Sequence, residues 1–182
     1  FEASEVRTMM DEAKTTDEWR GIILFGGHTG LRLGDIRQLG REHIDGTDLV
    51  IRPGKTSRTK KVIRIPLTPP LLAWTGERRG KFFPKALETS IPTLSMQFTA
   101  IMKRAGVPAK VTLPGGIVVK RSFHSLRHSF TSWLAEADIH ADVRKKLTGH
   151  ASDAQHAKYT HHDEALARAV ATLPDFSRTE SA

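Results

Sequence analysis

The chain has 182 residues, with 28 Lys+Arg against 20 Asp+Glu, and its formal net charge of +8 favours an anionic partner. Its 38% hydrophobic and 26% charged residues predict a buried core and exclude a disordered basic tail. The absence of cysteine excludes disulfides, thiolate metal sites and cysteine nucleophiles, and no apolar run reaches the ~18 residues of a membrane span, so we expect a cytoplasmic protein without a membrane partner.

The first forty residues indicate short helices. Apolar residues at i, i+3, i+4 and i+7 predict a first helix capped by Ser4: Val6, Met9, Met10 and Ala13. Thr15 and Glu18 have the spacing of a capping box and predict a second helix. A third, shorter helical piece is expected over residues 31–39.

Two β-hairpins are expected further along the chain. Residues 48–53 and 61–66 are rich in Ile and Val and flank a polar turn at 54–60, which is the pattern of a hairpin. A second possible hairpin covers residues 111–119, with its turn at 114–116.

The remaining segments favour helices. Helical spacing or turn boundaries delimit them at 70–77, 93–105, 124–137, 140–147, 153–159 and 163–172. The expected fold class is therefore mainly α with a small antiparallel β-sheet, in one domain.

The positive charge is concentrated in the middle of the chain. Residues 1–50 and 151–182 carry net charges of −4 and −2, whereas 51–100 carry +8 and 101–150 carry +6. Such a concentration is typical of a nucleic-acid face, although a solvated basic surface is the alternative.

The sequence HSLR at 124–127 places an imidazole and a guanidinium on one side of a helix. His124 and Arg127 share an arc, and Leu126 and Phe130 lie in the opposite one, so both polar side chains are expected to project away from the core. A solvated polar face would give the same pattern. A metal site on His124 and His128 lacks the intervening Glu of a zinc-protease helix, and no metal is expected.

The sequence TGLR at 29–32 places Arg32 after a glycine turn at a helix start, where an anion is favoured. Its planar fork suits phosphate, although an ordinary surface arginine is the alternative. Lys55 lies in the turn of the first hairpin, where a lysine is either solvated or able to donate a proton in a groove.

Two further residues complete a chemical set. His150 follows LTG at 147–149, where a histidine can simply interact with a helix C-terminus, and Tyr159 is the only tyrosine, a residue type most often found in a core or at its rim. Together, two arginines, two histidines, a lysine and a tyrosine provide positive clamps, a proton donor and an oxygen nucleophile for metal-free phosphoryl transfer.

The order of these motifs resembles the catalytic domain of the tyrosine recombinase, or phage integrase, family. The resemblance rests on TGLR, the hairpin lysine, HxxR, LTGH and the tyrosine nine residues after that histidine. It implies the family's catalytic-domain fold over residues 1–176 and a tail at 177–182. The family's N-terminal core-binding domain is absent from the chain, which is therefore expected to be a fragment of a longer protein.

The resemblance also implies residue roles. Arg32 and Arg127 would grip the non-bridging oxygens of the scissile phosphodiester, and His124 would assist proton transfer and hold the phosphate. Asp35 would support an active-site arginine or histidine.

The remaining catalytic roles fall on the central turn and the C-terminal third. Lys55 would be the general acid for the departing 5′-oxygen, with Lys60 and Lys61 of the same hairpin as alternatives. His150 would hydrogen-bond the phosphate, and Tyr159 would be the nucleophile. Further DNA-binding side chains are expected among the basic residues Arg58, Lys60, Lys61, Lys120 and Arg121.

The resemblance implies double-stranded DNA as partner and no cofactor. A monomer in solution is expected to form a homo-tetramer on DNA, with the C-terminal helix at 163–172 docked on a neighbouring protomer; folding back on its own domain is the alternative. The implied activity is DNA strand cleavage and rejoining through a 3′-phosphotyrosyl link, in integration or excision of a mobile element in a bacterial nucleoid. Type IB topoisomerase-like relaxation and a catalytically silent DNA-binding domain are the alternatives.

Overall fold

The structure, a computed structural model, describes residues 1–12, 14–52, 62–112, 115–148 and 168–176. Within these ranges the helices are α1 Ala3–Asp11, α2 Asp17–Thr29, α3 Leu33–Ile36, α4 Pro69–Thr75, α5 Pro84–Glu88, α6 Ile91–Arg104, α7 His124–Glu136 and α8 Ala141–Thr148. The strands are β1 Ile44–Asp45, β2 Asp48–Ile51, β3 Ile63–Pro66, β4 Lys110–Thr112 and β5 Val118–Lys120. A 3-10 turn covers Arg41–His43, and residues 168–171 are helical. The expected fold class, mainly helical with small antiparallel sheets, is confirmed.

The first two helices begin at positions other than those expected from their caps. α1 starts at Ala3, with the Glu5 carboxylate accepting from the Glu2 amide at 2.9 Å, so Ser4 lies inside the helix. α2 is capped by Thr16, whose hydroxyl accepts from the Trp19 amide, because the Thr15 hydroxyl donates to the Met9 carbonyl instead. The predicted capping box of Thr15 and Glu18 is therefore wrong.

Glu18 has a different partner in the structure. Its carboxylate accepts from the backbone amides of Lys85 and Ala86, at the start of α5. An acidic side chain at a helix N-terminus satisfies amides that have no partner within the helix. This long-range contact stabilises a short helix that the sequence pattern did not predict.

Both hairpins are present. β2 pairs antiparallel with β3 in the register Leu49↔Ile65 and Ile51↔Ile63, and β1 adds a short third strand beside β2. β4 pairs antiparallel with β5 as a separate two-stranded sheet. The turn at 53–61, with the candidate residues Lys55, Arg58, Lys60 and Lys61, lies outside the described residues.

Glycines bring α2 close to α7. A Cβ at Gly26 would meet the Phe123 ring at 2.8 Å, and one at Gly30, where φ is +63°, would meet the Phe130 ring at 2.6 Å. Neither position has room for a side chain, so the C-terminal end of α2 lies directly against α7. The segment that leads to Arg32 is thereby held beside the helix that carries Arg127.

The C-terminal segment packs on its own domain. Phe176 is fully buried, its ring lies 4.4 Å from that of His28, and it occupies the space beside Gly27. The guanidinium of Arg7 donates to the Asp175 carbonyl at 3.2 Å. In this chain residues 168–176 therefore fold back as in the second of the two expected arrangements; the predicted helix at 153–159 and residues 163–167 lie outside the described residues.

None of the helices in the described part of the chain is long and apolar enough to cross a membrane.

Candidate active site

Two segments about ninety residues apart in sequence meet at one cleft of about 370 Å³. The first is the start of α3, with Arg32 as its N-cap residue, and the second is the start of α7, with His124 as its first residue. Both side chains line the cleft, as does Asp35. Three of the candidate residues predicted from sequence are thus brought together.

Arg127 is buried near Arg32 rather than on an exposed face. Only 6% of the residue is exposed, and its Nη1 donates to the Gly30 carbonyl at 2.6 Å. The expectation that it projects away from the core is wrong, because α2 covers this side of α7 and supplies the carbonyl. This hydrogen bond anchors one edge of the Arg127 guanidinium to a backbone carbonyl that lies two residues before Arg32 in the sequence.

The two guanidinium groups act on each other electrostatically. Burial lowers the pKa of Arg127, the positive charge of Arg32 lowers this pKa further, and Asp35 acts in the opposite direction. An arginine nevertheless stays protonated in a protein. Two like charges are therefore held together with partial compensation from Asp35, an arrangement that favours a bound anion.

Apolar and hydroxyl side chains complete the cleft wall. Leu33, Ile91 and Phe123 supply apolar surface, and Ser95 and Ser122 supply hydroxyl groups. The sequence analysis missed Ser95 and Ser122; Ser122 could have been suspected from its position two residues before His124. Partial exclusion of water by the apolar wall strengthens an ionic interaction with the arginine.

His124 has a second histidine beside it. The rings of His124 and His128 lie 5.0 Å apart and nearly perpendicular, one helical turn from each other, and both residues are exposed. Within the described ranges, no group of three or more His, Cys, Asp or Glu side chains could hold a metal ion. His124 lines the cleft, and His128 lies one turn further along the same helix.

The two basic residues before the cleft have different surroundings. Lys120 is exposed on β5. Arg121 is 7% exposed at its side chain, forms an ion pair with Glu5 and lies over the Phe1 ring. A contact of Arg121 with DNA would require this ion pair to break.

The other candidate residues lie in segments outside the described part of the chain. His150 and Tyr159, like Lys55 and its neighbours Arg58, Lys60 and Lys61, lie outside the described residues. Their proposed roles rest on the motif resemblance.

Comparison with solved structures shows the same fold in recombinases. The integrase from mycobacterium phage Brujita is 22% identical, with a TM-score of 0.73 over 99% of this chain and 59% of that one. XerA recombinase is 16% identical, with a TM-score of 0.65 over 95% of this chain and 59% of that one. The chain thus spans 59% of the length of each of these two proteins.

A DNA-bound structure gives a similar match. Lambda integrase, as a dimer bound to a COC′ core site, is 20% identical, with a TM-score of 0.57 over 88% of this chain and 61% of that one. Comparison with curated proteins by sequence gives no match.

The family model described as the phage integrase family matches residues 1–165, which include all six predicted catalytic positions. The chain has the fold of the tyrosine recombinase catalytic domain, with a cleft lined by Arg32 and His124 that we call the arginine cleft. The chain belongs to the phage integrase family.

Proposed function

We propose that this chain is the catalytic domain of a site-specific recombinase that cleaves and rejoins double-stranded DNA. The observation that supports the proposal is a cleft lined by Arg32 and His124, with the buried Arg127 guanidinium within electrostatic reach of Arg32. A phosphodiester is an anion that suits this site, because a planar guanidinium can donate two parallel hydrogen bonds to its oxygens.

Arg127 is prepared for this role before DNA binds. Its Nη1 donates to the Gly30 carbonyl, which holds the guanidinium beside the segment that carries Arg32. A buried and oriented cation stabilises the charge of a phosphoryl transition state without reorganising during the reaction. Arg32 adds a second cation from the cleft wall.

The proposed reaction is one transfer at phosphorus. The Tyr159 oxygen attacks, a P–O bond to tyrosine forms, and the P–O bond to the 5′-oxygen breaks. Lys55 donates the proton that the leaving 5′-oxygen takes, and His124 assists removal of the phenolic proton. The product is a 3′-phosphotyrosyl link and a free 5′-hydroxyl.

Rejoining reverses these steps. A 5′-hydroxyl of the same or another strand attacks the phosphotyrosyl link, and Tyr159 leaves. The phosphotyrosyl ester conserves the energy of the cleaved phosphodiester bond, so no ATP is consumed. The two arginines provide the charge stabilisation that metal ions supply in other phosphoryl-transfer enzymes, and His150 hydrogen-bonds the phosphate.

We also propose that the chain is monomeric in solution, with its C-terminal segment folded back on its own domain, and that it acts as a homo-tetramer on DNA after the C-terminal helix moves to a neighbouring protomer. The XerH neighbour was solved bound to its difH substrate, and the lambda integrase neighbour as a dimer on a core site. Integration or excision of a mobile element in the bacterial cytoplasm is the proposed setting. Arg58, Lys60, Lys61, Lys120 and Arg121 are proposed as additional DNA contacts.

The test is the covalent intermediate. Incubation of the chain with a pool of nicked duplexes of randomised sequence should yield a protein–DNA adduct that survives denaturing electrophoresis, because the fragment released at the nick cannot return. Tyr159→Phe should abolish the adduct and retain DNA binding. An adduct of normal yield in Tyr159→Phe would contradict the nucleophile assignment, and sequence-independent relaxation of supercoiled DNA would indicate a topoisomerase.

A further inference from the structure

The β4–β5 hairpin places two lysines directly opposite each other. Lys110 pairs with Lys120 in the antiparallel register, and both are exposed. The Arg121 amide donates to the Ala109 carbonyl at 2.8 Å, so 109 and 121 form a hydrogen-bonded position and 110 and 120 the adjacent non-hydrogen-bonded one. At such a position the Cα atoms are about 4.5 Å apart and the side chains lie closest.

Like charges at this position oppose the pairing of the strands. In the described part of the chain, no carboxylate lies within ion-pair distance of either lysine. The three-stranded sheet differs, since Arg64 on β3 forms ion pairs with Asp48 on β2 and with Asp45 on β1. The lysine pair is therefore a concentration of positive charge without an internal counterion.

The alternation of the strand gives the direction in which these lysines face. Val111, Val119 and Arg121 line a groove against α1 and the side of α7 that bears Ser125 and Ser129. Successive side chains of an extended segment point to opposite faces, so Lys110 and Lys120 face away from that groove.

The chain itself connects the lysines with the arginine cleft. Ser122, two residues after Lys120, lines the cleft with Arg32 and His124. Two residues span at most about 7 Å. The lysine pair therefore lies beside the cleft wall.

We propose that Lys110 and Lys120 form a second phosphate-binding site, which holds the DNA backbone beside the scissile phosphodiester. The proposal rests on the proposed function, since it takes the ligand of the cleft to be DNA. It assigns DNA binding to Lys110, and it gives this stretch of chain a contact that does not depend on breaking the Arg121–Glu5 ion pair. Two ammonium groups on one rigid hairpin face would neutralise two phosphates and relieve their mutual repulsion.

The test compares two double variants of equal charge. Lys110→Ala/Lys120→Ala removes the pair. Lys14→Ala/Lys85→Ala removes two exposed lysines near Asp17 and Glu18, at the other end of α2, about 18 Å from the Arg32 end. Affinity for a short duplex of arbitrary sequence is measured by fluorescence anisotropy over a series of salt concentrations. The melting temperature of each free variant confirms that it is folded.

The expected result is a change in salt dependence specific to the hairpin. Each lost phosphate contact reduces the slope of log K against log[salt] by about 0.9, so Lys110→Ala/Lys120→Ala should reduce it by about 1.8 relative to the native chain. The control should keep the native slope. In the covalent-adduct assay, the hairpin variant should need a higher protein concentration than the control variant for half-maximal adduct, because it has lost two contacts to the DNA backbone.

The outcomes separate the two proposals. A native chain that forms the Tyr159-dependent adduct, together with a hairpin variant whose slope equals that of the control, would overturn the second phosphate site and leave the recombinase function intact. A native chain that neither binds duplex nor forms the adduct would overturn the function itself.

Discussion

Two features of position 30, its backbone conformation and its close packing, disfavour any residue other than glycine. Its φ of +63° costs an L residue about 1 kcal/mol, and a Cβ there would lie 2.6 Å from Phe130 Cδ1. Forcing an extra carbon into packed surroundings adds about 1–3 kcal/mol. We therefore expect Gly30→Ala to lower the free energy of unfolding by about 2–4 kcal/mol, which is roughly 5–15 °C in melting temperature for a domain of this size.

Gly46 is the matched control. Its φ is +60°, and a Cβ there would meet nothing within 4 Å. Gly46→Ala should show the backbone contribution alone, about 1 kcal/mol or roughly 3 °C. Thermal and urea unfolding of both variants give the two values directly.

A smaller side chain at position 130 should relieve part of the cost. Adding Phe130→Leu to Gly30→Ala should cost less than Phe130→Leu costs in the native chain, with a coupling of about 1 kcal/mol. Equal destabilisation by Gly30→Ala and Gly46→Ala would refute the packing explanation. The Gly30 carbonyl holds Arg127, so adduct formation by Gly30→Ala should also fall at temperatures where the variant is folded.

The remaining predictions concern two ionisable side chains, Glu5 and His28. Glu5→Gln should lower the free energy of unfolding by about 1–3 kcal/mol in urea, because it weakens the interaction of a nearly buried Arg121, whereas Glu77→Gln on the surface should change it little. Burial acts to raise the pKa of Glu5, but hydrogen bonds and the charge of Arg121 outweigh it and lower that pKa in the folded state. The ion pair therefore stabilises the native chain at pH values above the pKa of Glu5 in the unfolded state. This stabilisation is lost as the pH falls through the pKa of Glu5 in the folded state. Burial lowers the pKa of His28 to about 4, so the unfolded state binds more protons between about pH 6.5 and pH 4 and stability rises with pH across that window. From pH 7 to pH 5 the native chain should lose about 2 kcal/mol more than His28→Gln, and parallel urea titrations with equal losses would contradict the buried neutral imidazole.

Local patterns were sufficient where the relevant contacts are local. The alternation at 48–51 and 63–66 predicted the first hairpin, and α7 begins at the expected His124. The periodicity of α6 placed Leu94, Phe98 and Ile101 in the core, where they lie. These features depend on spacing within one element.

The missed features depend on partners far away in sequence. A helical projection of α7 cannot show that α2 covers Arg127, since the contact runs 97 residues back to Gly30. Arg121 belongs to a basic stretch, and its counterion Glu5 lies 116 residues earlier. In both cases the sequence identified a cation correctly, and only the tertiary contact determined whether that cation is exposed.

The packing of Phe176 within its own chain has a thermodynamic consequence for assembly. Its ring already fills the space beside Gly27 and His28 within one chain. If the segment moved to the identical position on a neighbour, the same apolar area would leave water in both arrangements, so the exchange would contribute almost no net hydrophobic free energy. Protomers would then associate only as tightly as other contacts hold them, and the DNA that gathers them would supply the free energy of assembly through their effective concentration.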